Sequence, residues 1–248
     1  MTMSEHKLYN GEIILKFNES KHLYTVNDEV VDGVTSALGI VAKPALVYWS
    51  ANKAGEYIEK FLPVGKPIDE IEKKQLVEGC KKAHRTLKDN AADLGTMLHA
   101  LIEDFAKGKT VPEPVNPILN KSFNQFKDWV KANNVRFIDS ERKIYSKRFN
   151  YAGTLDLLAD NGTKMLIDIK TSSGIWDEYY LQVAAYIQAI NEEMDLGLRK
   201  GVIIRCGKDG VFEVKETDEF EENLQGFLGA LRLYRRLKQL KYKEGVCK

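Results

Sequence analysis

Residues 153–172 read GTLDLLADNGTKMLIDIKTS, and the fold turns on how this stretch is read. Two apolar runs flank Asn161-Gly162, a dipeptide that favours a tight hairpin turn. Each run carries charge in its middle: Asp156 in the first, Asp168 and Lys170 in the second. Charges inside buried strands cost on the order of several kcal/mol unless a partner compensates them. Strand side chains alternate, so Asp168 and Lys170 share one face while Ile167 and Ile169 point to the other. The turn decides where Asp156 falls. A two-residue Asn161-Gly162 loop pairs Asp156 with Ile167 and turns Asp168 to the opposite face. A three-residue loop, Asp160-Asn161-Gly162 with Gly162 in the left-handed region, pairs Ala159 with Thr163. Asp156 then sits opposite Leu166 and diagonal to Asp168, and both carboxylates converge with Lys170. The reading predicts the three-residue loop.

Two carboxylates brought close repel each other unless a cation lies between them. Hard oxygen donors at this spacing suit Mg²⁺ or Mn²⁺. A lysine beside such an ion helps to hold a hydroxide or to stabilise a pentacovalent phosphate. The combination points to metal-dependent phosphodiester hydrolysis. Asp-x-Lys alone also describes a solvated strand face. The flanking LIDIK and TLDLL, which look buried on at least one face, weigh against that reading.

Working outward, residues 11–32 suggest a small β-hairpin with Asn27-Asp28 as its turn. Pro44 opens a helical pattern that runs to about Leu62, and VGKP at 64–67 breaks it. Residues 69–107 read as two helices with Gly108 as C-cap, and VPEPVNP at 111–117 reads as a connector. A helix over 118–132 follows, then two or three strands between Arg136 and Thr171. A helix over 177–193 precedes strands at 200–206 and 211–215, and a helix over 218–243 ends the chain. This order predicts an α/β class, bordering on α+β. It is read as one domain, with residues 1–133 forming a hairpin and helical cap and 134–248 a mixed-sheet core with a C-terminal helix.

The 248 residues suffice for a substantial core, and 44% hydrophobic with 29% charged residues is ordinary for a globular protein. A net charge of +1 neither demands nor excludes nucleic acid. Cys80, Cys206 and Cys247 form no CxxC pair, so neither a zinc ribbon nor an iron–sulfur site is indicated. Sparse cysteines suit a reducing compartment. No apolar run reaches about 18 residues, and the N-terminus lacks an apolar export signal, so the expectation is a cytoplasmic protein without membrane contact. GKDG at 207–210 is a hairpin turn and not a phosphate-binding loop.

The pattern resembles the PD-(D/E)XK nuclease superfamily, in its RecB-like exonuclease branch of phage and bacterial type. Gly153-Thr154-Leu155-Asp156, Asp168-Ile169-Lys170-Thr171-Ser172 and Leu181-Gln182-Val183-Ala184-Ala185-Tyr186 carry the core of the resemblance. Upstream, Gly95-Thr96-Met97-Leu98-His99-Ala100-Leu101-Ile102-Glu103 resembles the branch's helical histidine/glutamate motif. HLYTVNDEVVDGVTSALGIVAKPAL resembles the start of its members, so the likeness spans about 20–235. It implies a restriction-endonuclease-like mixed sheet. It implies metal ligation by His99, Asp156, Asp168 and the Ile169 carbonyl, and catalysis by Asp156, Asp168, Lys170 and Glu103. Glu103 then either ligates a second metal or orients water. The four-cysteine cluster of some relatives is missing, so no iron–sulfur cluster is implied.

His99 and Glu103, four apart, share a helix face; alone the pair better suits a packed histidine beside a solvated glutamate, and the strand triad turns the reading to metal ligation or the placing of a water. Gln182 and Tyr186 share a face of the next helix and can reach phosphate oxygens or the Lys170 ammonium, or simply pack. Thr171 and Ser172 either donate hydroxyls to a nucleic-acid backbone or end the strand. The run ERKIYSKR at 141–148 and the cations of the last helix, Arg232 to Lys243, can follow DNA phosphates. A solvated edge strand is the safer reading of the first, and dipole compensation accounts for the second without any ligand. Tyr48, Trp49 and Trp176 are candidates for stacking on bases or for the core.

The leading expectation is a Mg²⁺-dependent DNA exonuclease, with Mn²⁺ as substitute, acting on linear DNA ends in recombination, repair or phage DNA processing. A recombinase or single-strand-binding protein is the kind of protein partner such a role implies. A structure-specific or restriction-type endonuclease is the first alternative. A non-catalytic nucleic-acid-binding protein on a nuclease fold is the second.

Overall fold

Buried runs in the second half of the chain set the architecture. In the computed structural model, residues 3–243 are described, with side chains except those of 45, 85–92, 242 and 243. Cys247 and the Lys243 side chain lie outside the described residues. The elements are β1 (Met3–Leu8), β2 (Ile13–Asn18), β3 (Leu23–Val26), β4 (Glu29–Gly33), α1 (Val34–Leu38), α2 (Pro44–Phe61), α3 (Glu70–Ala106), α4 (Pro117–Ala132), β5 (Arg136–Ser146), β6 (Tyr151–Asp160), β7 (Lys164–Lys170), α5 (Asp177–Met194), β8 (Lys200–Cys206), β9 (Phe212–Thr217) and α6 (Phe220–Lys243). Among the described residues, nine strands form one mixed sheet in the order β1-β2-β3-β4-β6-β7-β8-β9, with β5 paired to β6. This is the α/β class expected, and it is consistent with a restriction-endonuclease-like core.

β7 and β8 are buried almost throughout, as interior strands of a sheet covered by helices are. They run parallel. Parallel neighbours need a crossover, and α5 supplies it. Val183, Ala184, Ala185, Ile187, Ala189 and Ile190 bury nearly the whole of α5 in a cluster with Leu158, Leu166, Ile203 and Phe227. Small residues allow the approach: a Cβ at Gly201 would meet Val183 Cγ1 at 2.3 Å. The ends of helices follow local chemistry. Pro44 and Pro117 stand in the first turns of α2 and α4, and the Asn116 side chain accepts from the Ile118 and Leu119 amides.

Three expectations change. The N-terminal hairpin is a four-stranded antiparallel meander that begins at Met3. Asn27-Asp28, both at positive φ as in a type I′ turn, joins β3 to β4. Residues 69–107 form one helix and not two. Gly79, a natural breaking point, lies where a Cβ would come within 2.2 Å of Tyr57, so it serves close packing of α3 on α2. The β6–β7 loop does have three residues and Gly162 does take positive φ, but the frame is shifted by one. Asp160 pairs with Lys164 and Leu158 with Leu166, leaving Asn161, Gly162 and Thr163 in the loop. Asp160 stays on the last rung and its Oδ1 accepts the Gly162 amide at 2.7 Å, closing the loop from there. Carried on in this register, Asp156 falls level with Asp168 and not diagonal to it.

The chain divides into two compact units, Ala42–Met97 and the remainder. The first comprises α2 and the early turns of α3, where Tyr57 also packs on Phe61 at 4.5 Å between centroids. The second holds the sheet, α1, α4, α5, α6 and the end of α3 that carries His99. No described helix is long and apolar enough to cross a membrane.

Candidate active site

The site forms where β6 loses a neighbour. One edge of β6 pairs with β5 along its length. The other edge is shared: β4 takes Tyr151 and Ala152, and β7 takes Leu157 to Asp160. At Asp156 the ladder to β7 opens. The Ile169 amide donates to Asp156 Oδ2 at 2.7 Å, so the carboxylate stands in for a ladder carbonyl and is fixed against β7.

β5 brings a second carboxylate. Ser140 pairs with Leu157 and Arg142 with Leu155, which sets Glu141 across from Asp156. Glu141 has a φ of +50°, an unfavourable backbone for a residue with a Cβ. α3 brings the imidazole. Leu98 and Ile102 anchor its turn in the core, and His99 projects with its ring 31% exposed. His99 Nδ1 lies 3.6 Å from Asp156 Oδ1 and 3.8 Å from Glu141 Oε1. The ligand atoms of His99, Glu141 and Asp156 all lie within 4.8 Å of one another. Burial pulls the His99 pKa down, but Asp156 and then Glu141 outweigh it and carry it up to about 9.

Beside this group sits a buried ion pair. Asp168 is fully buried, and its Oδ2 lies 2.5 Å from Lys170 Nζ. Burial raises the Asp168 carboxyl to about 6, with Lys170 opposing and Asp156 adding to the rise. Burial also works against the Lys170 ammonium, but Asp168 and Asp156 outweigh it and hold its pKa above the usual value. The ammonium also lies 4.9 Å from the Tyr179 ring centroid. Gln182 Nε2 donates to Asp168 Oδ1 and to Tyr186 Oη, each at 3.1 Å. Burial, reinforced by Asp168, keeps the Tyr186 phenol protonated. Tyr186 in turn fills the space left by Gly153, where a Cβ would come within 2.6 Å of its Cε1.

The structure thus gathers His99, Asp156, Asp168, Ile169 and Lys170. Gln182 and Tyr186 lie behind Asp168 and fix its orientation. Glu103 lines the same small cavity with Ile102 and Leu157, and its carboxylate is paired with Lys107. Thr171 is half-buried at the end of β7. Ser172 Oγ donates to the Gly174 carbonyl at 2.7 Å, and its own carbonyl accepts from Arg205. Glu141 is the site residue without a role in the sequence reading; it stands in the polar run Asp139-Ser140-Glu141-Arg142-Lys143, which gives it no distinguishing signal. Among the described residues β5 is an edge strand, paired with β6 alone; its Arg142 and Lys143 are half-buried, while Lys147 and Arg148 just beyond it are exposed. Arg142 bridges Asp139 and Glu193 at 2.8 Å each, and Lys147 pairs with Glu12 at 2.5 Å.

The donor set fits a hard divalent cation. Ligand distances of about 2.0–2.1 Å place donors around Mg²⁺ roughly 3 to 4 Å apart, the range seen between His99 and the two carboxylates. The group is anionic enough to retain a proton on His99, a charge that a divalent ion would replace.

No family model matches the chain, and no curated protein does. Among solved structures, SSO0001 is 16% identical, with 78% of this chain and 86% of that one covered at a TM-score of 0.36. An alkaline exonuclease from Laribacter hongkongensis, LHK-Exo, is 14% identical, with 48% of this chain and 70% of that one covered at a TM-score of 0.30. The same exonuclease in complex with dAMP is 15% identical over 64% of this chain and 92% of that one, at a TM-score of 0.25. At these values neither activity nor ligand transfers from these proteins to this one.

Proposed function

We propose that this protein is a metal-dependent deoxyribonuclease that hydrolyses phosphodiester bonds from DNA ends. One observation carries the reading: an imidazole and two carboxylates with ligand atoms within 4.8 Å, set beside a buried Asp–Lys pair. His99, Glu141 and Asp156 are the grouped donors that would hold Mg²⁺ or Mn²⁺, and Asp168 and the Ile169 carbonyl are added to them on the resemblance alone. Such an ion supplies a water of lowered pKa and polarises a phosphate oxygen.

The chain's own groups do the rest. Asp156, locked by the Ile169 amide through Oδ2, presents Oδ1 to His99 and the site. Gln182 occupies one oxygen of Asp168, which directs the other to Lys170. Lys170 stays charged and offsets the negative charge that builds on a phosphate under attack. The acidic cluster repels a phosphodiester, so cleavage requires the cation. The choice of exonuclease, and a setting in recombination, repair or phage DNA processing, is supported by the resemblance to RecB-like exonucleases.

The test uses end-labelled linear single strands, linear duplex and closed circles with Mg²⁺. Linear DNA is expected to be degraded while circles persist, and chelator, Asp168→Ala or Lys170→Ala should abolish the reaction. Nicked circles would transfer the assignment to an endonuclease. Binding of DNA with no cleavage under Mg²⁺ or Mn²⁺ would overturn the enzymatic reading.

A further inference from the structure

A second concave feature lies in the same unit as the sheet. A cleft of about 690 Å³ is lined by Arg148 and Phe149, which precede β6, and by Arg232, Arg235 and Arg236 of α6. Leu228 and Leu231 complete its apolar lining. Four of its lining residues are arginines. Arg235 is fixed: its Nε donates to Asp32 Oδ2 at 2.9 Å and its Nη2 to the Asn150 carbonyl at 2.6 Å. Arg148, Arg232 and Arg236 are exposed, and none pairs with an acidic residue among the described residues. The Arg148 guanidinium lies 5.1 Å from the Phe149 ring centroid.

The chemistry of the cleft selects its ligand class. Planar guanidinium forks match phosphate oxygens two at a time, which lysine ammonium groups do not. The half-buried Phe149 ring and Leu228 beside these arginines offer apolar surface to bases and sugars. A concave shape suits a strand better than a flat lipid surface. We infer that the cleft is a second binding site for a nucleic-acid strand, outside the catalytic centre. That the strand is the enzyme's own substrate rests on the nuclease reading; the binding does not. β6 starts at Tyr151 and carries Asp156, so at about 3.3 Å per residue the two sites stand roughly 17 Å apart along it. A stacked strand carries one phosphate per about 3.4 Å, so about five phosphates span that distance. The site therefore serves a polymer and retains it between cleavage events.

The test is the double variant Arg232→Ala/Arg236→Ala, with anisotropy of a labelled single-stranded oligonucleotide longer than that span, in chelator. Affinity is expected to fall on the order of tenfold. The slope of log affinity against log salt should shrink by about 1.4, two contacts at about 0.7 each. Arg232→Lys/Arg236→Lys keeps the charges and should keep the slope, with an affinity between the two. An alanine variant with wild-type affinity and slope overturns the inference. So does one that loses binding only to anionic phospholipid vesicles. Arginine-dependent oligonucleotide binding in a protein that cleaves no DNA would sink the nuclease reading and leave the cleft's assignment standing.

Discussion

Lys170→Met probes the buried charge pair on which the site is built. The ammonium lies 2.5 Å from an oxygen of a carboxylate with no exposure. At that distance and an effective dielectric constant of about 20, the attraction is roughly 7 kcal/mol, most of it cancelled by desolvation of both ions. Removing one partner strands the other charge, which costs about 3 to 5 kcal/mol. Methionine keeps the apolar stem, so packing changes little. Urea unfolding in chelator at about pH 8 should show a loss of that size. The loss must shrink on acidification. Burial already holds the Asp168 carboxyl at about 6 against an ordinary 3.8, and Lys170 is its chief opponent. Without Lys170 the value climbs further. With a folded value above the unfolded one, the stability of the protonated form is complete below the unfolded pKa. It is lost as pH rises through the folded pKa. Adding Asp168→Asn should restore most of the stability, since the amide oxygen still accepts from Gln182. A Lys170→Met protein within about 1 kcal/mol of wild type at about pH 8 would refute the argument. So would a double variant no more stable than the single one.

Divalent ions should raise the melting temperature. At a hundredfold excess over Kd the gain is about 2.7 kcal/mol, or roughly 5 to 10 °C at this size. Differential scanning fluorimetry should show that rise lost in His99→Ala and reduced in Glu141→Gln. Asp32 gains stability on a different side of the molecule. Burial raises its carboxyl pKa, but hydrogen bonds from Arg235 and Lys238 outweigh this and hold it below the usual carboxylate range. Its contribution is present above the unfolded pKa and fades as pH falls through the folded one. Asp32→Asn should therefore cost about 1.5 to 3 kcal/mol in urea unfolding at neutral pH, the worth of a charged hydrogen bond, and less as pH falls below the usual carboxylate range. Gly153→Ala drives a methyl into Tyr186 and should destabilise by about 1 to 3 kcal/mol. Cleavage should fall with it, because Tyr186 holds Gln182 and Gln182 holds Asp168.

What the sequence disclosed depended on how local the cause was. Period-two alternation placed Asp168 and Lys170 on one face, and Pro44 and Pro117 marked helix starts, because each rests on neighbouring residues. The odd length of the β6–β7 loop was legible from the need to bring Asp156 and Asp168 together. Its frame was not, since it depends on a single bond from the Gly162 amide to the Asp160 side chain. Glu141 was out of reach for a stronger reason. It joins the site through the β5–β6 register and a positive φ on a residue that carries a Cβ, neither of which composition announces. The half-buried state of Arg142 is not announced by its own strand, because its partner Glu193 comes from α5.

The pairing of β4 with β6, beside the contact of Asp32 with Arg235, bears on how the protein is made. Asp32 and Arg235 stand 203 positions apart. On the ribosome, the first four strands emerge long before β6, and longer still before α6. Until those arrive, β4 presents an open edge, the kind of surface on which nascent chains aggregate or recruit chaperones. Contacts of such long range also delay the final docking step, so folding of this protein is expected to end, not begin, at its N-terminal meander.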